Sequence, residues 1–467
     1  MRNQRAHKTF DRRLKVEGRA FVRVFAFIVL ALILTHAQGL HSSAQTRRKT
    51  TQKKSQTNGA AHSDVDAAAQ LARAVELLQA GKLVEAEPLV RRVIAAQPSN
   101  ADAHTLLGVI LDQRGLAREA ESEYRKAIGL RPKSIAARAN LGVLLARTRR
   151  FDEAVRTFRA VLADAPDHPQ ATFNLGVALF NLNRYEEAEA LLNSPPALSQ
   201  NASEAFYYLG LIAAARGRAD TAADYWQRAL ALRESYPEVH FALAEELRKQ
   251  RRYEGAVEFY ERAVAEDPTR VVYYVRLGGV LMLLSLYDRA LEDFERAAER
   301  FPTSAEVQYF VGIAARGRGD FDVAEGALRR SLALKADNVD ALAQLGFVVG
   351  ERGRDAEAEK ILRRAVALDA RHFYANYDLG RLLVRAKRYD EAVAVLQGAT
   401  KIRERDAGVH YQLFIAYSRL KRTAEAEREL ALFKQFDEER KARRARGEEE
   451  EIEDTLPKSS TGEGPPE

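Results

Sequence analysis

The chain has 467 residues, 46% hydrophobic and 30% charged, with a formal net charge of +7 and no cysteine. The missing cysteines exclude disulfides, thiolate zinc sites, iron–sulfur clusters, thiol nucleophiles and the lipid-modified cysteine of a bacterial lipoprotein. The positive charge is concentrated in the first 66 residues and partly cancelled by an acidic tail, so the body is near neutral and offers little electrostatic basis for binding nucleic acid.

In chain order, the first feature is an apolar run at 24–34, VFAFIVLALIL, behind Arg2, Arg5, Arg12, Arg13, Lys15, Arg19 and Arg23. Its length suits the core of a signal peptide better than a membrane span, which needs roughly 18 apolar residues or more. Small residues fit for cleavage follow at Thr35/Ala37 and Ser42/Ala44. Residues 1–44 are therefore expected to be a signal peptide or, if the run extends over 20–37, an uncleaved signal anchor. The first case places the protein outside the cytoplasm, periplasmic or secreted; the second holds it at the inner membrane. Residues 45–66 are polar, basic and nearly free of large apolar side chains, which predicts a flexible linker.

From residue 67 the chain repeats. Steps of 34 from Leu107 meet Leu141, Leu175, Leu209, Leu243, Leu277, Val311, Leu345, Leu379 and Leu413. The following position holds Gly108, Gly142, Gly176, Gly210, Ala244, Gly278, Gly312, Gly346, Gly380 and Phe414. Thirteen residues after each Leu stands an alanine, from Ala120 to Ala426. Each unit contains two apolar-periodic segments about a dozen residues long, which predicts a helical hairpin, and eleven units fill 67–440. The Gly and Ala let the two backbones approach, while Tyr124, Phe158, Trp226, Tyr260, Phe294 and Leu328 fill the remaining space. Pro132, Pro166, Pro268 and Pro302 mark unit ends.

This pattern resembles the tetratricopeptide repeat. The resemblance implies an all-α, right-handed superhelical solenoid in which the first helix of each repeat, helix A, lines a concave groove and the second, helix B, the outside. His104, His240 and His410 occupy the family's tryptophan slot in helix A, a departure. Two irregularities stand out. Pro195-Pro196 interrupts one helix B and predicts a shortened helix followed by a loop; Phe414 and Phe433 predict a bulky seal on the last repeat. The tail, 441–467, turns from basic to acidic and is expected to be disordered.

Candidate chemistry is sparse. Acidic residues such as Asp152-Glu153, Glu186-Glu187 and Asp390-Glu391 fall at the start of helix B, and Arg149-Arg150, Arg184 and Lys387-Arg388 at the end of helix A, where each sign complements a helix dipole. The histidines lack metal-site spacing, and there is no phosphate loop, nucleophile elbow or HExxH motif. No catalytic residue, metal site or cofactor is assigned, and the chain is read as no enzyme.

The candidate site is a surface. Positions 5, 9 and 12 of helix A share one side of that helix. They supply Phe173, Val177, Phe180, Tyr207, Leu211, Phe241, Glu245, Arg248, Tyr309, Ile313, Arg316, Tyr377, Arg381 and Tyr411. Aromatics with occasional arginines match the composition of interaction hot spots; the alternative is that several pack between neighbouring helices. The family's carboxylate clamp is not matched, because Asn140 and Asn174 lack the lysines around them. The sequence thus predicts a protein–protein interaction scaffold of a bacterial-type cell envelope, binding peptide or helical segments of other proteins and no nucleic acid. The alternatives are an accessory subunit of a membrane or envelope enzyme complex, a cytoplasmic-facing adaptor and an RNA-binding helical repeat.

Overall fold

The computed structural model describes residues 58–445, and among them every regular element is helical: twenty-two helices and no strand. The expected signal segment, the linker up to residue 57 and the tail from 446 lie outside the described residues. The chain divides between Arg233 and Glu234 into two compact units.

The first unit holds α1 (Asn58–Gln79), α2 (Leu83–Ala96), α3 (Ala101–Gln113), α4 (Ala117–Leu130) and α5 (Ile135–Arg147). It continues with α6 (Phe151–Asp164), α7 (Pro169–Asn181), α8 (Tyr185–Leu192), α9 (Pro195–Ala215) and α10 (Ala219–Leu232). The second unit holds α11 (Pro237–Lys249), α12 (Tyr253–Glu266), α13 (Val271–Leu283), α14 (Tyr287–Arg300), α15 (Ala305–Arg318) and α16 (Phe321–Leu334). It ends with α17 (Val339–Glu351), α18 (Asp355–Leu368), α19 (Phe373–Arg385), α20 (Tyr389–Ile402), α21 (Ala407–Arg419) and α22 (Thr423–Ala445). Odd-numbered helices are the A helices and even-numbered ones the B helices of eleven hairpins.

Eight of the eleven hairpins close on one contact. A β-carbon placed on Gly108, Gly142, Gly210 or Gly278 would lie 2.2–2.6 Å from the ring of Tyr124, Phe158, Trp226 or Phe294. On Gly176, Gly312, Gly346 or Gly380 it would meet Leu192, Leu328, Leu362 or Leu396 at 2.4–2.7 Å. These separations are far inside van der Waals contact, so the glycine is required by what helix B presses against it. The alanines beside this seam, Ala120 through Ala392 at steps of 34, are fully buried. Trp226 donates its indole N–H to the carbonyl of Tyr207 at 3.2 Å, which satisfies the one polar atom of a ring that is 1% exposed.

The turn from A to B is equally uniform. One residue there adopts a left-handed conformation in every hairpin: Gly81, Gly115, Gly217, Gly319 and Gly353, or Arg149, Asn183, Arg251, Ser285, Lys387 and Lys421. The next N–H reaches back to a carbonyl five residues earlier, as in Leu116 N to Leu111 O at 2.9 Å, closing the C-terminus of helix A. The following A helix is opened by a side-chain cap from Asn100, Ser134, His168, Ser304, Asn338, His372 or Asp406.

Three boundaries differ from the sequence reading. Helix α1 begins at Asn58, inside the stretch assigned to the linker, because extending a formed helix through Ala60 and Ala61 needs no new nucleus. Helix α22 runs to Ala445, beyond the expected end at 440, and Lys441 pairs with Asp437 one turn back at 2.8 Å. Pro195-Pro196 does not begin a loop. Helix α8 ends at Leu192, and the prolines start α9, where their missing N–H groups cost nothing; α9 then bends at Asn201 (φ −128°, ψ 34°) into the next helix A. At the far end, Phe433 lies 5.1 Å from Tyr411, which in turn lies 6.4 Å from Phe414, so bulky rings do cover the last hairpin.

The close seam yields a test. Gly210→Ala is expected to destabilise the first unit by about 1–3 kcal/mol through overpacking, although Gly to Ala in a helix normally stabilises by up to about 1 kcal/mol. Gly129→Ala, which meets open space in α4, is expected to be neutral or stabilising. Urea unfolding followed by Trp226 emission distinguishes the two; equal effects would remove the seam as the controlling contact.

Candidate partner-binding face

Successive A helices touch one another from α1 through α9 in the first unit and from α13 through α21 in the second. The A side is therefore the closed-up side of each stack, and its side chains form a continuous face.

The structure divides the fourteen sequence candidates by burial. Phe173, Phe180, Tyr207 and Tyr309 are buried at 2–9% exposure. Phe173 and Phe180 pack edge-on against Tyr208 at 6.1 and 5.5 Å, and Tyr309 against Phe310 at 5.4 Å. These four belong to the core, as the alternative reading held: Phe173, Tyr207 and Tyr309 at position 5 and Phe180 at position 12 are covered by the side chains packed against them. Val177, Leu211, Phe241, Ile313 and Tyr377 are half-buried, as are Glu245, Arg248, Arg316 and Arg381, and Tyr411 is exposed. The open positions differ between units. In the first they are apolar, Val177 and Leu211; in the second they mix aromatic and cationic groups.

The second unit also brings together residues that the sequence reading did not select. Phe347 on α17 sits between Arg316 of α15 and Arg381 of α19, whose guanidinium carbons lie 5.3 and 5.0 Å from its ring centre. Arg316 donates to Gln344 Oε1 at 2.6 Å, and Arg381 donates to Glu351 Oε1 at 2.8 Å. Asp378, on α19, is 8% exposed and 3.6 Å from Arg381. Burial pushes its carboxyl up to about 6, despite the opposing pull of Arg381 and Arg316. Phe347 stands at position 9 and was available in the chosen frame. Gln344 and Asp378 stand at position 6, which that frame left out.

A second cluster sits on α11 and α13. Glu245 accepts from the Tyr260 hydroxyl at 2.5 Å and from Arg248 at 3.1 Å, and lies 3.3 Å from Arg276.

The charged turns on the other side are structural. Arg150 joins Glu153 in its own hairpin to Glu121 in the preceding one, both at 2.7 Å. Arg388 joins Glu391 to Glu359 in the same way at 2.7 Å, and Arg354 joins Glu357 to Glu325. Solvent screening limits what each pair contributes, and their regular spacing links consecutive repeats. These arginines therefore bridge hairpins as well as complement helix dipoles.

The histidines also have structural places. His168 and His372 cap helices, accepting from Ala171 and Ala375 N–H at 3.2 and 3.1 Å through Nδ1. Burial holds the His168 ring below its ordinary pKa, in the neutral form that this acceptor role requires. His104, His240 and His410 meet Glu123, Glu266 and Glu429 at 2.6, 2.9 and 2.5 Å. Among the described residues no three metal-ligating side chains converge, and no helix is long and apolar enough to cross a membrane.

Tetratricopeptide repeat models match residues 61–135, 140–202, 204–237, 237–270, 277–341 and 351–410, and the chain belongs to the tetratricopeptide repeat proteins. This family serves as a protein-interaction scaffold. No curated protein matches the sequence. Among solved structures, PilF of Pseudomonas aeruginosa is 26% identical over 45% of this chain and 96% of its own, with a TM-score of 0.38. Yeast Tom70 is 14% identical over 77% of this chain and 97% of its own, with a TM-score of 0.37. A chain of the APC/C hetero-tetramer Cut9–Hcn1 is 14% identical over 84% and 96%, with a TM-score of 0.41.

Asp378 makes a pH prediction. Its folded pKa lies above the ordinary carboxyl value, so the protonated form adds stability that is fully present below about pH 4 and is lost as pH rises through about 6. Asp378→Asn should accordingly raise the stability of the second unit at pH 7.5 by about 1–3 kcal/mol and flatten its dependence between pH 4 and 6. Denaturant melts across that range check it; a loss of stability at pH 7.5 would show that the carboxylate is held favourably.

Proposed function

We propose that the chain is a non-enzymatic scaffold of the cell envelope that holds segments of other proteins against its A-helix faces. The observation that carries the reading is the open row at positions 5 and 9. Val177, Leu211, Ile313, Phe347, Arg381 and Tyr411 remain accessible while the residues facing helix B are buried. An apolar row with isolated aromatic and arginine side chains suits an extended or helical segment that inserts apolar side chains at regular spacing. The first unit would accept an apolar segment, the second a segment that also carries carboxylates to meet Arg316 and Arg381.

Burial decides which substitutions test this cleanly. Truncating Phe173 and Tyr207 together would open the core, at a cost of roughly 3–5 kcal/mol for each large ring, and would confuse folding with binding. Val177→Glu with Leu211→Glu instead places charge on the open row. The pair is expected to lower partner capture by the first unit at least tenfold while leaving helicity intact and Tm within a few degrees. Unchanged capture would rule out this face.

The envelope location is proposed from the basic, apolar N-terminal segment. Intact mass after separating soluble envelope contents from membranes tests it. A soluble species beginning near Gln38 or Gln45 indicates export with cleavage, and a full-length species in the membrane fraction indicates an anchor. A full-length species in the cytoplasm would refute both.

A further inference from the structure

In the second unit the ends of the B helices form an apolar and basic edge. Leu334 and Leu368 are the last residues of α16 and α18, and they are 45% and 49% exposed. The half-buried Ile402 ends α20 at the same place, so three consecutive repeats put an apolar side chain there. The fold does not require it. The equivalent residue is Asp164 in α6, Glu266 in α12 and Arg300 in α14. Single exposed leucines are ordinary, whereas a row of them at the repeat spacing marks a surface.

Cations surround these leucines. Lys360 and Arg364 precede Leu368 by two turns and one turn on the same side of α18, and Arg371 follows it in the next turn. Arg330 and Lys335 flank Leu334 in the same way. All five are exposed, and among the described residues none of them pairs with a carboxylate. Arg330 donates to the amide oxygen of Gln308 at 2.8 Å. Arg364 donates to the carbonyl of Ala336 at 2.7 Å, which places it beside the end of α16. Their neighbours Arg329 and Arg363 differ, pairing with Glu357 and Glu391 at 2.6 and 2.9 Å. The exposed acids of the two turns, Asp337 and Asp369, offset only part of the charge. A helix dipole accounts for cations in a last turn, but Lys360 stands two turns before the end of α18. In the first unit Leu130 has similar neighbours, yet there Lys126 pairs with Glu123 and Arg131 with Asp102, each at 2.7 Å.

Apolar side chains at helix tips, with long cationic side chains one turn away, fit the boundary of an anionic bilayer. Leucines enter between headgroups and acyl chains, while lysine and arginine lay their stems on apolar surface and reach lipid phosphates with their charged ends. A peptide gains affinity from the walls of a pocket; helix tips instead meet a plane. We propose that this edge of the second unit rests on an anionic phospholipid surface, with Leu334 and Leu368 at headgroup depth and Arg330, Lys335, Lys360, Arg364 and Arg371 on the phosphates. The contact goes beyond the partner-binding reading and does not depend on it, because it uses the ends of the B helices and leaves the A faces to other proteins.

Depth measurement in the full chain tests this. The absence of cysteine makes Leu368→Cys a unique attachment site for a nitroxide spin label. Asp390→Cys is the control, exposed at the opposite end of α20, about 18 Å from Ile402. Collisions with oxygen, which concentrates in lipid, are compared with collisions with a water-soluble nickel chelate. Vesicles are phosphatidylcholine alone or with a third of the lipid replaced by phosphatidylglycerol. The expected result is a Leu368 label that becomes oxygen-accessible and nickel-protected on the anionic vesicles alone, while the Asp390 label stays in water. Because each label reports its own depth, attachment of the chain through residues 24–34 does not mimic this result. In Lys335→Gln/Lys360→Gln/Arg371→Gln the immersed fraction should fall about tenfold at equal helicity. It should also fall as salt rises from about 50 to 500 mM. Immersion on both kinds of vesicle, or immersion unmoved by the triple variant, overturns the proposal. A label that stays in water on both overturns it too. Protection by dissolved polyglutamate without immersion in lipid assigns the edge to an acidic protein segment and overturns the membrane contact. Partner capture on the A faces is read separately by Val177→Glu/Leu211→Glu, so the two readings fail independently.

Discussion

The structure depends on how closely two helices can approach within a hairpin. At position 8 of helix A in eight of the eleven hairpins a glycine faces a ring or a leucine from helix B, at a distance that would leave no room for a β-carbon. Because that contact draws A and B into one rigid pair, the remaining apolar surface of each hairpin faces its neighbours in sequence, and burial becomes a nearest-neighbour property. The A helices then touch one another directly, which leaves one side of each of them for something else. The candidate face follows from the seam.

Charge organises the opposite side by the same logic. An arginine at the start of helix B that reached only the acid three residues on would supply a local helix pair worth a few tenths of a kcal/mol. Arg150, Arg354 and Arg388 each reach a second acid in the preceding hairpin as well. The repeated Arg–Glu spacing therefore registers one hairpin on the next. Glu325 sits at such a junction, 6% exposed, and the Arg354 hydrogen bond is the main influence holding its carboxyl below the ordinary range against the cost of burial.

Much of this was readable from a 34-residue period. The Leu-Gly pair and the Ala thirteen residues after the Leu name the seam before any coordinates, since only one geometry needs small residues in both helices at that spacing. The candidate face was less legible. Periodicity places Phe173, Phe180, Tyr207 and Tyr309 on the correct side of helix A, but it does not say how far the adjacent A helix leans over them. Covering is a contact between residues 34 or more apart whose extent depends on both partners' sizes. Phe347 escapes it because its flanking neighbours are long arginines, which can lie beside the ring and leave it accessible. Pro195-Pro196 illustrates the other limit. Proline forbids continuing a helix, and the same residues are suited to starting one; which applies depends on whether the carbonyls behind them are already satisfied, as Leu191 O is by Ser194.

The exception at Ala244 shows that seam and face are coupled. Here the glycine is replaced by alanine, fully buried, and the ring opposite it is Tyr260, also fully buried. The Tyr260 hydroxyl bonds Glu245, the next residue along helix A and a position on the candidate face. Glu245 is thereby held beside Arg248 and Arg276, and its one negative charge is shared between two arginines on the face. Three repeats further on, Gly346 keeps the seam tight, Leu362 has no polar atom to offer, and Phe347 remains accessible between two arginines. The residue that helix B presents to the seam, tyrosine or leucine, thus bears on whether position 9 is tied into the core or left accessible. A repeat protein can vary its recognition surface in this way through residues that never touch the partner.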